Sequence, residues 1–362
     1  MNRQARTLRR KEPLTDTQLL LTITICIFFA MYIAAMAIWG GGFLRPQQLF
    51  DMLNNNASLI ICACALTIVM IGGGIDISVG GLTALVVMSC VVFLDDFGGN
   101  IFTAVLLSMG IGLAFGCVHG LLISYLEIQP FIVTLAGMFF ARGMTTIVSI
   151  DPRTAEHAGF LLLKKTRLEI PWLGYIVKKT GKLIPAKIEI GVIVALVIVL
   201  IVFFMLKKTR FGRNLYAIGG NSQSALMLGV NVKRTRFLSY LISGLLSGIA
   251  GFVYLMHTGA ANATVAAGAE MNAIASSIIG GTLLTGGVGN VIGTLFGVLT
   301  LTTIKSIVVT SGLRDPWWQT ITTGAMLCFF ILLQSVVLSN RGKFKLSDLF
   351  RKKKTDVILE KN

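Results

Sequence analysis

Ile71-Gly72-Gly73-Gly74-Ile75-Asp76-Ile77-Ser78-Val79-Gly80-Gly81 joins two otherwise uninterrupted apolar runs and sets a carboxylate among glycines. Each glycine disfavours a helix interior by about 1 kcal/mol against alanine, and an ionisable side chain at membrane depth costs roughly 2.5 to 3.5 kcal/mol on insertion scales. Two readings follow. The stretch is a glycine-rich turn with a solvated Asp76, or it is a broken segment lining a polar pathway. Membranes tolerate such irregular backbone only inside protein or beside a water-filled cavity.

Composition supplies the surroundings of this stretch. The 362 residues are 54% hydrophobic and 13% charged, with a mean hydropathy of +0.80, whereas a soluble domain carries about 25% charged residues. A formal net charge of +16 would suggest nucleic acid in a soluble protein. Here the basic residues sit mostly in tails and loops beside apolar segments, where they orient a membrane protein. All six cysteines (Cys26, Cys62, Cys64, Cys90, Cys117, Cys328) fall inside apolar runs. Cys62 and Cys64 point to different sides of a helix, so they read as buried apolar thiols and no metal site or cofactor is expected. Arg3, Arg6, Arg9, Arg10 and Lys11 precede the first apolar run without a convincing cleavage site, which reads as an uncleaved anchor.

Apolar segments of helical length lie at about 18–40, 57–74, 78–94, 101–126, 131–150, 188–206, 237–256, 269–286, 289–311 and 317–337. The expected fold is therefore an all-α polytopic membrane protein of about ten transmembrane helices. The third and eighth segments are short and glycine-rich enough to be half-helices. The membrane-spanning domain is expected at 18–337, between basic tails at 1–17 and 338–362. With the N-terminus in the cytoplasm, the N-tail, the 207–236 loop and the C-tail hold twenty Lys and Arg inside, against ten outside. The 151–187 loop dissents, because it places Lys164, Lys165, Arg167, Lys178, Lys179 and Lys182 outside. Adding about 187 to the second through fifth segments lands near the seventh through tenth. A shift of five spans reverses direction, so this is the spacing of an inverted repeat.

A second glycine cluster runs Ile279-Gly280-Gly281-Thr282-Leu283-Leu284-Thr285-Gly286-Gly287-Val288-Gly289-Asn290. No G-x-x-x-x-G-K-[ST] occurs in the chain, which argues against ATP hydrolysis by this polypeptide. No H-E-x-x-H or G-x-S-x-G supports a membrane-embedded enzyme either. In the 207–236 loop, Asn221 can cap a short helix over Ser222, Gln223, Ser224, Ala225, Leu226, Met227 and Leu228, and Gly229 can end it. Its apolar residues must pack on the bundle or dock into a partner. His119, Arg142 and Lys305 are intramembrane polar residues that either pair structurally or line a path. Glu127 and Glu270 stand at span ends and are expected to be hydrated. Trp39, Trp317 and Trp318 read as interfacial anchors.

These strings resemble the permease subunits of bacterial ATP-binding-cassette importers for simple sugars. The resemblance rests on Gly73-Gly74-Ile75-Asp76-Ile77-Ser78-Val79-Gly80, on Thr134-Leu135-Ala136-Gly137-Met138 leading to Arg142-Gly143, on Thr209-Arg210-Phe211-Gly212 to Asn221, and on Ile279-Gly280-Gly281-Thr282 to Gly286-Gly287-Val288-Gly289. The wording is most similar to galactofuranose permeases. The resemblance implies a monosaccharide permease of the bacterial inner membrane with both termini cytoplasmic, working by alternating access. Its implied partners are a cytoplasmic ATPase subunit, a periplasmic sugar-binding protein, a second permease copy or paralogue, and membrane lipids, with no nucleic acid. It makes Asn221 to Gly229 the coupling segment, although many relatives begin that helix Glu-Ala-Ala where this chain has Ser222, Gln223 and Ser224. Gly73, Gly74, Asp76, Ser78, Gly80, Gly280, Gly281, Thr282, Gly286, Gly287 and Gly289 become the gate or pathway motifs. Asp76 is expected on the cytoplasmic side, capping backbone amides of its turn in an inner gate or brace. The alternative is an ion-coupled sugar carrier in which Asp76 is the coupling carboxylate.

Overall fold

A computed structural model describes residues 16–40, 43–176 and 183–339. The helices are α1 (Asp16–Trp39), α2 (Pro46–Ile71), α3 (Val79–Asp95), α4 (Ile101–Ser124), α5 (Pro130–Val148), α6 (Ala158–Lys165), α7 (Ile190–Lys208), α8 (Arg210–Gly220), α9 (Ser222–Met227), α10 (Val232–Thr258), α11 (Ala269–Ile279), α12 (Val291–Thr310) and α13 (Pro316–Ser339). Four short strands accompany them: β1 (Arg153–Thr154) pairs with β4 (Ala260–Ala261), and β2 (Arg167–Ile176) with β3 (Leu183–Glu189), both antiparallel. Among the described residues, α1, α2, α4, α5, α7, α10, α12 and α13 are long and apolar enough to span a membrane. With the 17-residue α3 and the 11-residue α11, each of the ten apolar segments becomes a helix. The basic tails outside 16–339 lie outside the described residues.

Two boundaries differ most from the sequence reading, while α10 also starts earlier than expected, at Val232. The second span begins at Pro46, not near 57, because its polar first turns have partners. Gln47 Oε1 accepts from the Lys187 amide at 2.8 Å, and Asn54 Oδ1 accepts from the Glu189 amide at 3.0 Å. The eighth segment stops at Ile279, since Gly281 turns the chain with φ +90°. At 1.5 Å per residue, α11 covers about half of a 30 Å hydrocarbon core.

The described residues of 151–176 and 183–189 contact the ends of α2, α3 and α10. Basic residues of this region are partly matched there: Arg153 pairs with Asp96, Arg167 with Glu189, and Lys187 with Glu169. Lys164 donates to the Thr258 carbonyl at the end of α10. This lowers the electrostatic objection to an outer position for the loop, while Lys178, Lys179 and Lys182 lie outside the described residues.

Helix neighbours follow the repeat. The pair α2 and α10 each meet the other half's counterparts, α2 packing on α11 and α12 and α10 on α3 and α4. Likewise α3 packs on α4 and α5, as α11 does on α12 and α13. α2 and α10 form the buried centre. The α4–α10 contact is made by small residues at backbone distance: a Cβ on Gly116 would lie 2.7 Å from the Tyr240 carbonyl oxygen, and one on Gly112 would strike the Gly244 carbonyl. Close approach of this kind substitutes for the hydrophobic drive that lipid removes.

Candidate transport core and coupling helix

Asp76 lies in the break between α2 and α3 and is only 2% exposed. Its Oδ1 accepts from the Ser78 amide at 3.0 Å and the Ser78 hydroxyl at 2.5 Å, and its Oδ2 accepts from the Ser243 hydroxyl of α10 at 2.7 Å. Hydrogen bonds of this kind let a carboxylate remain buried without a cation. The Ser78 hydroxyl also stands 3.5 Å from His119 Nδ1 on α4, and the Thr134 hydroxyl of α5 donates to the Ile75 carbonyl at 3.4 Å. The turn thus meets α4 through Ser78, α5 through the Ile75 carbonyl and α10 through Asp76. Asp76 is not solvated, so the solvated-turn reading fails; the segment that holds it is broken and enclosed.

The starts of the two short helices, α3 and α11, face each other. A Cβ on Gly80 would collide with Glu270 Oε2, and one on Gly81 would lie 2.7 Å from the Met138 carbonyl. Glu270 Oε2 is enclosed without a hydrogen-bond partner. Glu270 as a residue is half-buried, so the expectation that it is hydrated fails for Oε2 alone, for which the glycine at 80 leaves room against the first turn of α3. Glu127 does stand in solvent, paired with Lys233 at 3.0 Å. The hydrogen bond from Lys233, and then its charge, hold the Glu127 carboxyl below the usual range.

Arg142 and Lys305 are paired structurally. Arg142 reaches from α5 to the carbonyls of Val265 at 2.6 Å and Ala266 at 3.0 Å, fixing the loop before α11. Lys305 donates to Asn272 Oδ1 at 2.8 Å, joining α12 to the first turn of α11.

The glycine strings that are far apart in sequence meet at the C-terminal end of α2, where the Asp76 turn begins. The Gly287 amide donates to the Ile71 carbonyl at 2.9 Å. Gly219 of α8 fits between them, where a Cβ would collide with both the Ile71 oxygen and the Gly287 nitrogen, and Gly286 lies within 3 Å of Gly73 by the same measure. The Tyr216 hydroxyl of α8 donates to the Gly289 carbonyl at 2.8 Å. Burial pushes that phenol up to about 12, so it keeps its proton. Gly280 packs instead against Gly293, Gly281 against Leu20 of α1, and the Thr282 hydroxyl is enclosed without a partner.

From this junction the chain runs directly into α9. Asn221 caps it, accepting from the Ser224 amide at 2.8 Å. Gly229 ends it with φ +81°, and its amide donates to the Leu226 carbonyl at 2.9 Å. Ala225 faces inward, whereas Leu226, Met227 and Leu228 are 62%, 86% and 83% exposed. Of the two placements for these side chains, packing on the bundle is not the one found. Beside α9 a cavity of about 920 Å³ reaches from Ser222 and Gln223 to Gly72–Gly74.

The family described as branched-chain amino acid transport system / permease component matches residues 48–331. The chain belongs to this family. The permease is 38% identical over 324 residues to the inner membrane ABC transporter permease protein YjfF of Escherichia coli (strain K12), covering 89% of the chain and 94% of that protein. It is 35% identical over 338 residues to the fructose import permease protein FruG of Bifidobacterium longum (strain NCC 2705), covering 91% and 95%. With the ribose import permease protein RbsC of Escherichia coli (strain K12) it shares 31% over 281 residues, covering 76% and 82%. No solved structure matches it significantly. These relatives place the permease with ABC importer permeases and not with ion-coupled carriers.

Ser243 and Tyr240 escaped the sequence reading because, on α10, they look like ordinary polar positions in a glycine-rich helix. Their spacing from Gly244 and Gly248 marks one face, but only the fold shows Asp76 against it.

Proposed function

We propose that the permease carries a simple sugar across the bacterial inner membrane by alternating access, driven by a separate cytoplasmic ATPase that grips α9. The observation that carries this reading is the exposed Leu226-Met227-Leu228 tip on a capped helix, joined through α8 to the glycine junction. An apolar tip of this kind needs a partner groove. Movement of α9 passes to Gly219, which touches the ends of both broken segments; these lead into α3 and α12. Such close-packed backbone transmits displacement because it has little room to deform. A sugar suits the interior, whose polar inventory is mainly hydroxyls and backbone groups, such as the Thr67, Ser277 and Thr294 cluster.

The orientation that accompanies this reading puts both termini, α8 and α9 in the cytoplasm and the β2–β3 hairpin outside, where a sugar-binding protein would deliver substrate. A second permease, identical or related, completes the pathway, and lipid surrounds the exposed apolar faces of α4, α5, α7 and α13. The relatives named for fructose and ribose support a monosaccharide, and the galactofuranose-like wording makes that sugar one to assay with them.

Gly229→Val tests the coupling role in the reconstituted complex. A β-branched residue is strained at positive φ. The expected result is loss of uptake and of sugar-stimulated ATP hydrolysis, with the melting temperature of the bundle retained. Normal stimulation would refute the role.

A further inference from the structure

The offset of about 187 residues that relates the two halves carries 72–81, between α2 and α3, onto 259–268, between α10 and α11. In an inverted repeat two such breaks serve opposite sides of the membrane. The first touches Gly219; the second begins at the other end of α10 from α9 and takes no part in coupling. Apart from β4 it consists of turns. Ala261 pairs with Arg153, whose guanidinium meets Asp96 at the C-terminal end of α3. The Ala266 carbonyl lies 3.2 Å from where a Cβ on Gly80 would stand, in the first turn of α3. Val265 belongs to the same buried apolar cluster as Leu82 and Val86. The segment therefore runs beside a 17-residue helix about 25 Å long, at membrane depth. Yet Asn262, Thr264 and Ala267 are exposed, as are Gly143 and Thr146 on α5 and Met271 on α11. Irregular backbone at this depth faces protein or water, not lipid.

Arg142 fastens this segment to α5. Its Nη1 donates to the carbonyls of Val265 at 2.6 Å and Ala263 at 3.5 Å, and its Nη2 to that of Ala266 at 3.0 Å. Among the described residues it makes no salt bridge. A guanidinium keeps its charge, and neutral carbonyls hold it less tightly than a carboxylate, so it can exchange them for water or for the hydroxyls of a sugar. We propose that 259–268 is the gate on the side of the membrane opposite α9, and that Arg142 is the latch that holds it shut in this arrangement. Opening moves 262–267 away from α3 about Gly259 and Gly268, which bound the segment at φ +69° and +76°. The gating of sugar rests on the transport reading above; the wet face and the latch do not.

The test uses the complete complex with its ATPase in nanodiscs, without nucleotide, and a membrane-impermeant cationic methanethiosulfonate as probe. Cys26, Cys117 and Cys328 are changed to alanine, which leaves the buried thiols. Thr264→Cys should react severalfold faster than Ile201→Cys, which is exposed on the apolar α7; equal rates overturn the wet face. Val265→Cys, at a position 7% exposed, should react slowly. Adding Arg142→Gln should speed it at least about tenfold, and Arg142→Lys, which keeps the charge without the fork, by less. Where Arg142→Gln does not assemble, Arg142→Lys alone must still speed the reaction. A rate indifferent to residue 142 overturns the latch. In the reconstituted complex, Arg142→Gln should lower the sugar imported per ATP hydrolysed at least about fivefold with the ATPase still bound, and an unchanged ratio overturns the gate. A complex that shows both labelling results but imports no sugar contradicts the proposed substrate and leaves the latch standing.

Discussion

Removing Ser243 should harm the permease more than removing the charge it serves. Ser243→Ala deletes a single oxygen but strips Asp76 Oδ2 of its one donor among the described residues, at 2.7 Å, inside a site where Asp76 is 2% exposed. A hydrogen bond to a charged group contributes about 1.5 to 3 kcal/mol, and a buried charge left short of a partner costs at least that much. Asp76→Asn behaves differently. Its amide oxygen still accepts from the Ser78 amide and hydroxyl, while its NH2 can donate to the Ser243 oxygen once that hydroxyl turns back to its own helix. The expected loss is below about 1 kcal/mol, because polarity, size and hydrogen-bond count are preserved. In the double variant no charge remains to be orphaned, so its cost should fall short of the sum of the singles by about 1 to 2 kcal/mol. Reversible unfolding of the four proteins in detergent or nanodiscs measures the cycle. Additive losses, or a Ser243→Ala protein as stable as wild type, would refute the assignment of Asp76 as the acceptor that binds α10 to the turn.

Two further predictions concern packing and pH. Gly116→Val places carbon where α4 meets the α10 backbone, 2.7 Å from the Tyr240 carbonyl; overpacking of this kind costs about 3 kcal/mol and should show as a lower melting temperature. Because the folded-state pKa of Glu127 is depressed by Lys233, its pair contributes only above the unfolded carboxyl value of about 4.3 and is lost as pH falls through the folded value. Melting temperatures of wild type and Glu127→Gln should therefore differ slightly at pH 7, as suits an exposed pair, and converge in acid; a difference that grows in acid would contradict the pairing.

How far the sequence reaches is visible in individual elements. All ten apolar runs became helices because length and apolarity decide membrane spans almost by themselves. The start of α2 was misplaced for a physical reason: Gln47 and Asn54 look like loop residues until the β2–β3 strands supply their partners. The glycine clusters at 71–81 and 279–290 were visible in the sequence, but a cluster does not announce what it touches, and Gly219 lies within α8. That Gly73, Gly219 and Gly287 share one junction depends on contacts across more than 200 residues, which no local pattern encodes. The enclosure of Glu270 Oε2 was not legible from its place at a span end, since the space that holds that oxygen is made by a missing side chain at Gly80. Asn221 and Gly229 were legible as caps because capping is local chemistry.

The central claim is that α9 drives the two broken segments through Gly219. Gly219→Ala adds one carbon at the point where it must displace the Ile71 oxygen and the Gly287 nitrogen, while α9 and its exposed tip are untouched. The decisive measurement is the amount of sugar imported per ATP hydrolysed by the reconstituted complex, with co-purification of the ATPase confirming that α9 still docks. The account predicts that hydrolysis persists and the ratio falls at least about tenfold, a loss of at least about 1.4 kcal/mol of coupling. A folded Gly219→Ala permease that keeps the wild-type ratio would contradict it.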